Sequence, residues 1–254
     1  MDEKSVFLRT IAVVISLALP AAAITGCRAG AAKGSASILL FTGTGTSAGD
    51  VAALETILNT NHLNYETVGS AELNAMAEDA IRQYRLLIVP GGNFVAIGNG
   101  LTPGTTANIR SGVQNGLNYL GVCAGAFLAG SFPQPYKSLN LTSGVQFGFY
   151  AAARDTHKTA VAITVASGPT LDQYWEDGPQ LTGWGAVAAK YPDGTPAIVQ
   201  GTFGRGWVIL TGVHPEAPES WRRGLVFGTP SSTDNAYAAT LIDAALNRTS
   251  LSHF

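Results

Sequence analysis

The chain has 254 residues, of which 46% are hydrophobic and 13% are charged, and its formal net charge is −2. This composition excludes a disordered chain and supplies enough apolar surface for the core of one large domain or two small ones. The lysines and arginines are scattered rather than clustered, so the sequence predicts no nucleic-acid partner.

The first 27 residues have the pattern of an export signal. Lys4 and Arg9 precede an apolar run over residues 11–24, which contains Pro20 and is short for a membrane span. The run ends in Ile-Thr-Gly before Cys27, which resembles the bacterial lipobox, where that cysteine becomes lipid-modified. Cleavage after the alanines at 21–23 is the alternative. The sequence therefore predicts an exported protein, either lipid-anchored to the cell membrane or periplasmic or extracellular.

Residues 28–36 are small and polar, as expected of a flexible tether. Beyond them, short apolar runs alternate with segments of helical spacing. The runs that have the length of buried strands are 37–41, 65–68, 86–89 and 119–122. The helical segments between them are 48–59, 71–83 and 106–116. This alternation predicts a parallel sheet covered by helices on both faces, with right-handed crossovers.

The second half of the chain is richer in strands. Strand-like runs with glycine and proline turns occupy residues 161–165, 186–191, 197–202 and 207–211. The segment Pro-Asp-Gly-Thr at 192–195 is typical of a hairpin turn, and residues 235–247 predict a closing amphipathic helix. We expect these strands to extend the same sheet.

Cys123 lies in a segment typical of a nucleophile. Residues 121–126 (Gly-Val-Cys-Ala-Gly-Ala) follow a predicted strand and open a predicted helix, with a glycine two residues before and two after the cysteine. The same spacing forms the sharp strand-to-helix turn of serine hydrolases. The helix N-terminus favours a thiolate, and the N–H of Ala124 would face a developing oxyanion. Taken alone, the segment is equally compatible with a small buried cysteine in a tight turn.

Two further segments follow predicted strands. Gly91 and Gly92 come directly after the third strand, and their N–H groups are candidates for an oxyanion hole. His214, Pro215 and Glu216 follow the last strand, where the imidazole can act as a base and the carboxylate can orient it. Because the carboxyl ends of parallel strands meet at one edge of a sheet, we expect these segments to lie beside Cys123.

At these residues the chain resembles the class I glutamine amidotransferase-like superfamily, whose signature combines Gly-x-Cys-x-Gly, an upstream Pro-Gly-Gly and a downstream His-Pro-Glu. Within that group it is most similar to the domain at the N-terminus of biotin–protein ligases, which also occurs alone in bacteria. That closer resemblance rests on Cys-Ala-Gly-Ala from Cys123, on residues 174–179 and on residues 191–216.

The resemblance implies an α/β fold: a flavodoxin-like, doubly wound, mostly parallel sheet with extra antiparallel strands, in a single domain over residues 37–250. It implies a catalytic triad of Cys123, His214 and Glu216, and an oxyanion hole formed by Gly91 or Gly92 with Ala124. The implied chemistry is attack on the amide bond of a small molecule through a thioester. No biotin-ligase domain or synthase follows in this sequence, so hydrolysis is expected rather than ammonia transfer.

Two alternatives remain open at this stage. One is a non-catalytic, ligand-binding lipoprotein that keeps the fold. The other places the chain among related cysteine hydrolases and chaperones in which an acid other than Glu216 orients the site. The sequence shows no zinc-type ligand spacing and no phosphate-binding loop, so neither a metal nor a cofactor is expected. Tyr174, Trp175 and Trp184 either line a substrate pocket or pack in the core. The substrate and the oligomeric state are not indicated.

Overall fold

A single nine-stranded sheet forms the centre of the computed structural model, which describes residues 36–151 and 156–254. The strands of this sheet are, in chain order, β1 (Ile38–Phe41), β2 (Tyr65–Val68), β3 (Leu86–Val89), β4 (Asn118–Val122), β6 (Lys158–Val165), β7 (Thr170–Glu176), β9 (Ala186–Lys190), β10 (Pro196–Phe203) and β11 (Gly206–Thr211). A separate two-stranded sheet pairs β5 (Gly148–Phe149) with β8 (Pro179–Gln180). The predicted signal peptide, Cys27 and residues 28–35 of the predicted tether lie outside the described residues.

The large sheet has a parallel side and an antiparallel side. Its strand order is β2-β1-β3-β4-β11-β10-β9-β6-β7. The strands from β2 to β11 pair in parallel, and those from β11 to β7 pair antiparallel. The expected α/β sheet with added antiparallel strands is therefore confirmed, and the strand-rich second half extends the same sheet.

Helices cover both faces of the sheet. They are α1 (Ala48–Thr60), α2 (Ser70–Ala75), α3 (Glu78–Ile81), α4 (Phe94–Gly100), α5 (Pro103–Gln114), α6 (Ala124–Ala129) and α7 (Ser231–Asn247). Alternate side chains of each central strand enter two separate cores: Ile38 and Leu40 pack with α1 and α7, whereas Leu39 and Phe41 pack with the other helices. Within the described part of the chain, no helix combines the length and apolarity needed to cross a membrane.

The single helix predicted over residues 71–83 is wrong, because the chain forms α2 and α3 with an extended break at Met76 and Ala77. Tertiary hydrogen bonds favour the break. Asn74 at the end of α2 accepts from the N–H of Thr102, and Glu78 at the start of α3 accepts from the hydroxyl of Ser111 at 2.6 Å. The spacing of apolar residues along the sequence does not predict these long-range contacts.

Three other elements differ from the sequence prediction. Helix α4 and strand β7 were not predicted, because α4 is a short helix and the burial of β7 does not alternate from one residue to the next. Helix α5 begins at Pro103 rather than at residue 106, since the side chain of Thr102 caps it and proline occupies its first turn.

The turn between β4 and α6 depends on glycine. A Cβ on Gly125 would overlap the carbonyl group of Val89, lying 2.8 Å from its carbon, and a Cβ on Gly121 would lie 2.6 Å from the carbonyl carbon of Gly125. The ends of β3 and β4 and the first turn of α6 therefore pack with their backbones in direct contact. This contact fixes the position of Cys123, midway between the two glycines.

We predict that Gly125→Ala lowers the free energy of unfolding by about 2 kcal/mol, because the added methyl group meets a backbone that cannot move without shifting β3. Gly104→Ala is the matched control: its Cβ would meet nothing nearer than the Thr102 hydroxyl at 3.7 Å, so we expect a gain of about 0.5 kcal/mol from reduced chain entropy. Urea unfolding measures both. Equal stabilities for the two variants would contradict the tight contact.

Candidate active site

Parallel pairing of β4 with β11 brings together the ends of the two strands that carry the predicted site residues. Val122 pairs with Thr211, and the N–H of Cys123 donates to the carbonyl of Thr211 at 2.8 Å. Three residues further on, the N–H of His214 donates to the carbonyl of Tyr174 at 2.8 Å. Backbone hydrogen bonds to β11 and to β7 thus hold Cys123 and His214 at the carboxyl ends of the neighbouring strands β4 and β11.

Cys123 occupies a sparsely populated backbone conformation, with φ 47° and ψ −101°. Such a conformation costs about 1–3 kcal/mol in a residue with a side chain, and the surrounding structure must impose it. The thiol is free and only 6% exposed, and its sulfur lies 3.6 Å from the carbonyl oxygen of Glu176. The strained turn directs the thiol out of the sheet toward the cleft described below.

His214 contacts two carboxylates through the same ring nitrogen. Its Nδ1 lies 2.9 Å from Oε1 of Glu216 and 3.0 Å from Oδ1 of Asp50. All three side chains are buried, with side-chain exposures of 8% or less. The structure therefore brings Cys123, His214 and Glu216 together, and it adds a fourth group that the sequence analysis did not identify.

Asp50 lies in the first turn of α1, where it is 5% exposed. It precedes Leu54 by four residues and Ile57 by seven, so it occupies the apolar face of the helix. That spacing is visible in the sequence, within the helix predicted over residues 48–59. A carboxylate on a core-facing stripe is rarely buried without a partner, and this is the signal that identifies the residue.

The buried carboxylates and the imidazole alter one another's ionisation. Burial alone would lower the pKa of His214, but the adjacent Cys123, Glu216 and Asp50 raise that pKa well above its ordinary value. Burial raises the pKa of Glu216, with His214 opposing the shift. Burial also acts to raise the pKa of Asp50, yet the contact with His214 brings it below its ordinary value. The site thus favours an imidazolium beside an ionised Asp50.

Gly92 and Ala124 line the cleft beside Cys123, whereas Gly91 has a different position. The carbonyl of Gly91 accepts from the N–H of Ser47 at 3.0 Å, and a Cβ at Gly91 would collide with Asp50 and His214. Gly91 therefore leaves space for the acid and the imidazole. Of the two glycines considered for the oxyanion hole, Gly92 is the one at the cleft surface.

A cleft of about 520 Å³ opens over the thiol. Its lining combines groups at the ends of β3, β4 and β7 with aromatic rings; the members are Ser47, Asp50, Gly92, Asn93, Phe94, Val95, Cys123, Ala124, Phe127, Phe149, Glu176, Asp177 and His214. Tyr174, Trp175 and Trp184 lie outside this lining. Trp175 is 2% exposed and belongs to the core, so packing explains it.

Asp50, His214 and Glu216 also offer three potential metal ligands whose atoms lie within 4.8 Å of one another. Nδ1 of His214 hydrogen-bonds to Oε1 of Glu216 at 2.9 Å, and Oδ1 of Asp50 makes a charge contact with the same nitrogen at 3.0 Å. Charge pairing accounts for this arrangement, and the residues do not require an ion to explain their proximity.

Comparison with known proteins gives a family and a curated relative. Residues 36–154 match the family described as "Biotin-protein ligase, N terminal". An uncharacterized protein of Chlamydia muridarum (strain MoPn / Nigg) is 30% identical to this chain, over 52% of the chain and 60% of the relative. The chain thus spans less than two thirds of the length of the curated relative that it matches.

Solved structures share the fold at low sequence identity. One described as a glutamine amidotransferase has a TM-score of 0.56 and 20% identity, over 71% of this chain and 90% of its own. PurLQS from Thermotoga maritima has a TM-score of 0.56 and 16% identity, over 81% and 97%. A β-galactosidase from Bacillus circulans sp. alkalophilus has a TM-score of 0.54 and 12% identity, over 86% and 32%. Because the last has a different activity, the fold alone does not fix the function.

We predict that Asp50→Asn lowers the pKa of the His214 imidazole by about one unit, because an anion that favours the imidazolium is replaced by a neutral amide of the same shape. The pH titration of the ring signals by NMR measures the shift. Asp177→Asn is the control, since Asp177 lines the same cleft but contacts His157 instead. An unchanged titration in Asp50→Asn would show that Asp50 does not act on the imidazole.

Proposed function

We propose that this chain is a thiol-dependent amide hydrolase. It has a class I glutamine amidotransferase-like fold, and its residues 36–154 match the biotin-protein ligase N-terminal family. One observation carries the proposal: a strained, free cysteine lines the same cleft as a buried imidazole that contacts two carboxylates. A structural cysteine in a tight turn needs none of these partners.

The first half of the proposed reaction forms a thioester. The Cys123 sulfur attacks the carbonyl carbon of the amide, and the carbonyl oxygen becomes an oxyanion facing the N–H groups of Gly92 and Ala124. The His214 imidazolium gives its proton to the amide nitrogen as the carbon–nitrogen bond breaks. Ammonia or an amine leaves, and the acyl group stays on the sulfur.

The second half releases the acid. The now neutral imidazole of His214 removes a proton from water, and the water oxygen attacks the thioester carbon. The carbon–sulfur bond breaks, the sulfur leaves as a thiolate, and the imidazolium is restored. Glu216 and Asp50 hold the orientation of the ring and stabilise its positive charge whenever it is protonated, which makes them positioning residues.

The proposed export of the protein rests on residues 1–27 of the sequence. A charged start, an apolar run and the lipobox-like residues before Cys27 support a lipid-anchored form, and cleavage after the alanines at 21–23 supports a secreted form. Either location would place the hydrolase outside the cytoplasm.

Reactivity of the thiol tests the nucleophile. We predict that iodoacetamide modifies Cys123 rapidly at pH 7, and that His214→Ala slows this modification about tenfold or more, because the imidazolium that stabilises the thiolate is gone. Peptide mass spectrometry after timed quenching separates Cys123 from Cys27. His157→Ala, an exposed histidine, is the control. Labelling that requires a pH well above 8, or that proceeds at the same rate in His214→Ala, would favour a ligand-binding protein without an activated thiol.

We predict that the full chain, expressed in bacteria with labelled fatty acid, incorporates label at Cys27, and that globomycin blocks processing. Cys27→Ser is expected to abolish the label, and Cys123→Ser to leave it unchanged, because only the first cysteine follows the lipobox-like residues. Processing that is insensitive to globomycin, with no label, would indicate secretion by cleavage after the alanines instead.

A further inference from the structure

One wall of the cleft is aromatic. The rings of Phe94, Phe127 and Phe149 all face the cleft, with centroids of Phe94 and Phe127 5.0 Å apart and those of Phe127 and Phe149 4.7 Å apart. Phe149 is 48% exposed, which is unusual for a phenylalanine in a folded domain. Its ring lies where a bound molecule can cover it.

Further aromatic rings pack behind this wall. Phe132 packs behind Phe94 with ring centroids 5.1 Å apart, and Tyr136 lies 6.3 Å from Phe94 on the outer side. Neither Phe132 nor Tyr136 lines the cleft. The wall is therefore one edge of a larger aromatic cluster.

The wall begins next to the nucleophile. Phe127 lies on α6, four residues after Cys123, and both residues line the cleft beside Phe94 and Phe149. An acyl group attached to the sulfur would thus have an aromatic surface within reach.

The cleft lining is also acidic. Asp50, Glu176 and Asp177 contribute carboxylates to the lining. Glu176 is held by the hydroxyl of Tyr174, which donates to its Oε2 at 2.6 Å, and its backbone carbonyl lies beside the thiol. Of the lining residues that the structure describes, none is a lysine or an arginine. Asp177 also contacts His157, whose side chain is 76% exposed and lies outside the lining.

Such a lining does not suit a free α-amino acid. The α-carboxylate of glutamine would meet carboxylates without a lysine or arginine to bind it, since the His214 imidazolium is already paired with Asp50 and Glu216, and like charges repel. An amine would be attracted to the same carboxylates, and a flat apolar group would stack on the phenylalanines.

From the phenylalanine wall and the carboxylates of the lining we infer that the site takes a primary amide that carries an aromatic group and an amine and no carboxylate, such as the C-terminal amide of an aromatic amino acid. The inference rests on the proposed amide hydrolysis at Cys123. Hydrolysis of such a substrate breaks the terminal carbon–nitrogen bond, consumes one water and releases ammonia and the free acid, so no further reactant is needed.

The test compares ammonia release by the full chain from four amides: L-phenylalaninamide, N-acetyl-L-phenylalaninamide, L-alaninamide and L-glutamine. We expect kcat/KM for L-phenylalaninamide to exceed that for L-alaninamide by about tenfold, through ring stacking, and to exceed that for the acetylated compound, which lacks the amine. L-Glutamine is expected to be the poorest of the four.

Two variants test whether the phenylalanine wall causes the preference for L-phenylalaninamide over L-alaninamide. Phe149→Ala is expected to bring L-phenylalaninamide and L-alaninamide within about twofold of each other, whereas Tyr136→Ala, which removes an exposed ring of the same cluster outside the lining, is expected to keep the difference. Asp177→Asn is expected to reduce the advantage of the free amine over the acetylated compound. A preference that survives Phe149→Ala would overturn the role of the wall.

The outcomes separate the inference from the proposed function. If L-glutamine is hydrolysed as fast as the aromatic amide or faster, in a reaction that Cys123→Ala abolishes, the proposed function stands and the substrate class is wrong. If no amide of the four gives ammonia above the rate of Cys123→Ala, the proposed function fails and the substrate class fails with it.

Discussion

The parallel pairing of β4 with β11 is the contact on which the site depends. These strands lie about ninety residues apart in the sequence, and their pairing puts Cys123 and His214 at adjacent strand ends. A different local structure after each strand then positions the side chain. After β4, glycines at 121 and 125 allow a sharp turn that forces Cys123 to a positive φ. After β11, a backbone hydrogen bond to Tyr174 on β7 holds His214.

The buried imidazole has an unusual electrostatic environment because two carboxylates share its Nδ1. One carboxylate would suffice to fix the orientation of the ring. The second, from Asp50, adds negative charge in a place where burial already raises the pKa of Glu216. The resulting balance favours a protonated ring, which suits a mechanism that starts from an imidazolium and a thiolate. It also provides a second acid, so orientation of the ring does not depend on Glu216 alone.

Much of this arrangement was accessible from the sequence. Short apolar runs predicted the parallel strands, because burial on both faces selects continuous apolar residues. The positions of Cys123, His214 and Glu216 directly after predicted strands indicated that these residues would be neighbours. Strand β7 was missed because its buried residues do not alternate, and helices α2 and α3 were merged because hydrogen bonds to α5 and to the loop before it cause the break. Asp50 was missed as a site residue because its partner, His214, is distant in sequence and becomes a neighbour only in the folded sheet.

The proposal that Cys123 is the nucleophile is tested most directly by the mass of the intact chain, quenched in acid while it turns over an aromatic amide. The account predicts a fraction of the chain heavier by the acyl group, with the added mass on the peptide that contains Cys123 and absent from Cys123→Ala. Ammonia release by Cys123→Ala at the rate of the unmodified chain, with no acyl adduct on either protein, would contradict it.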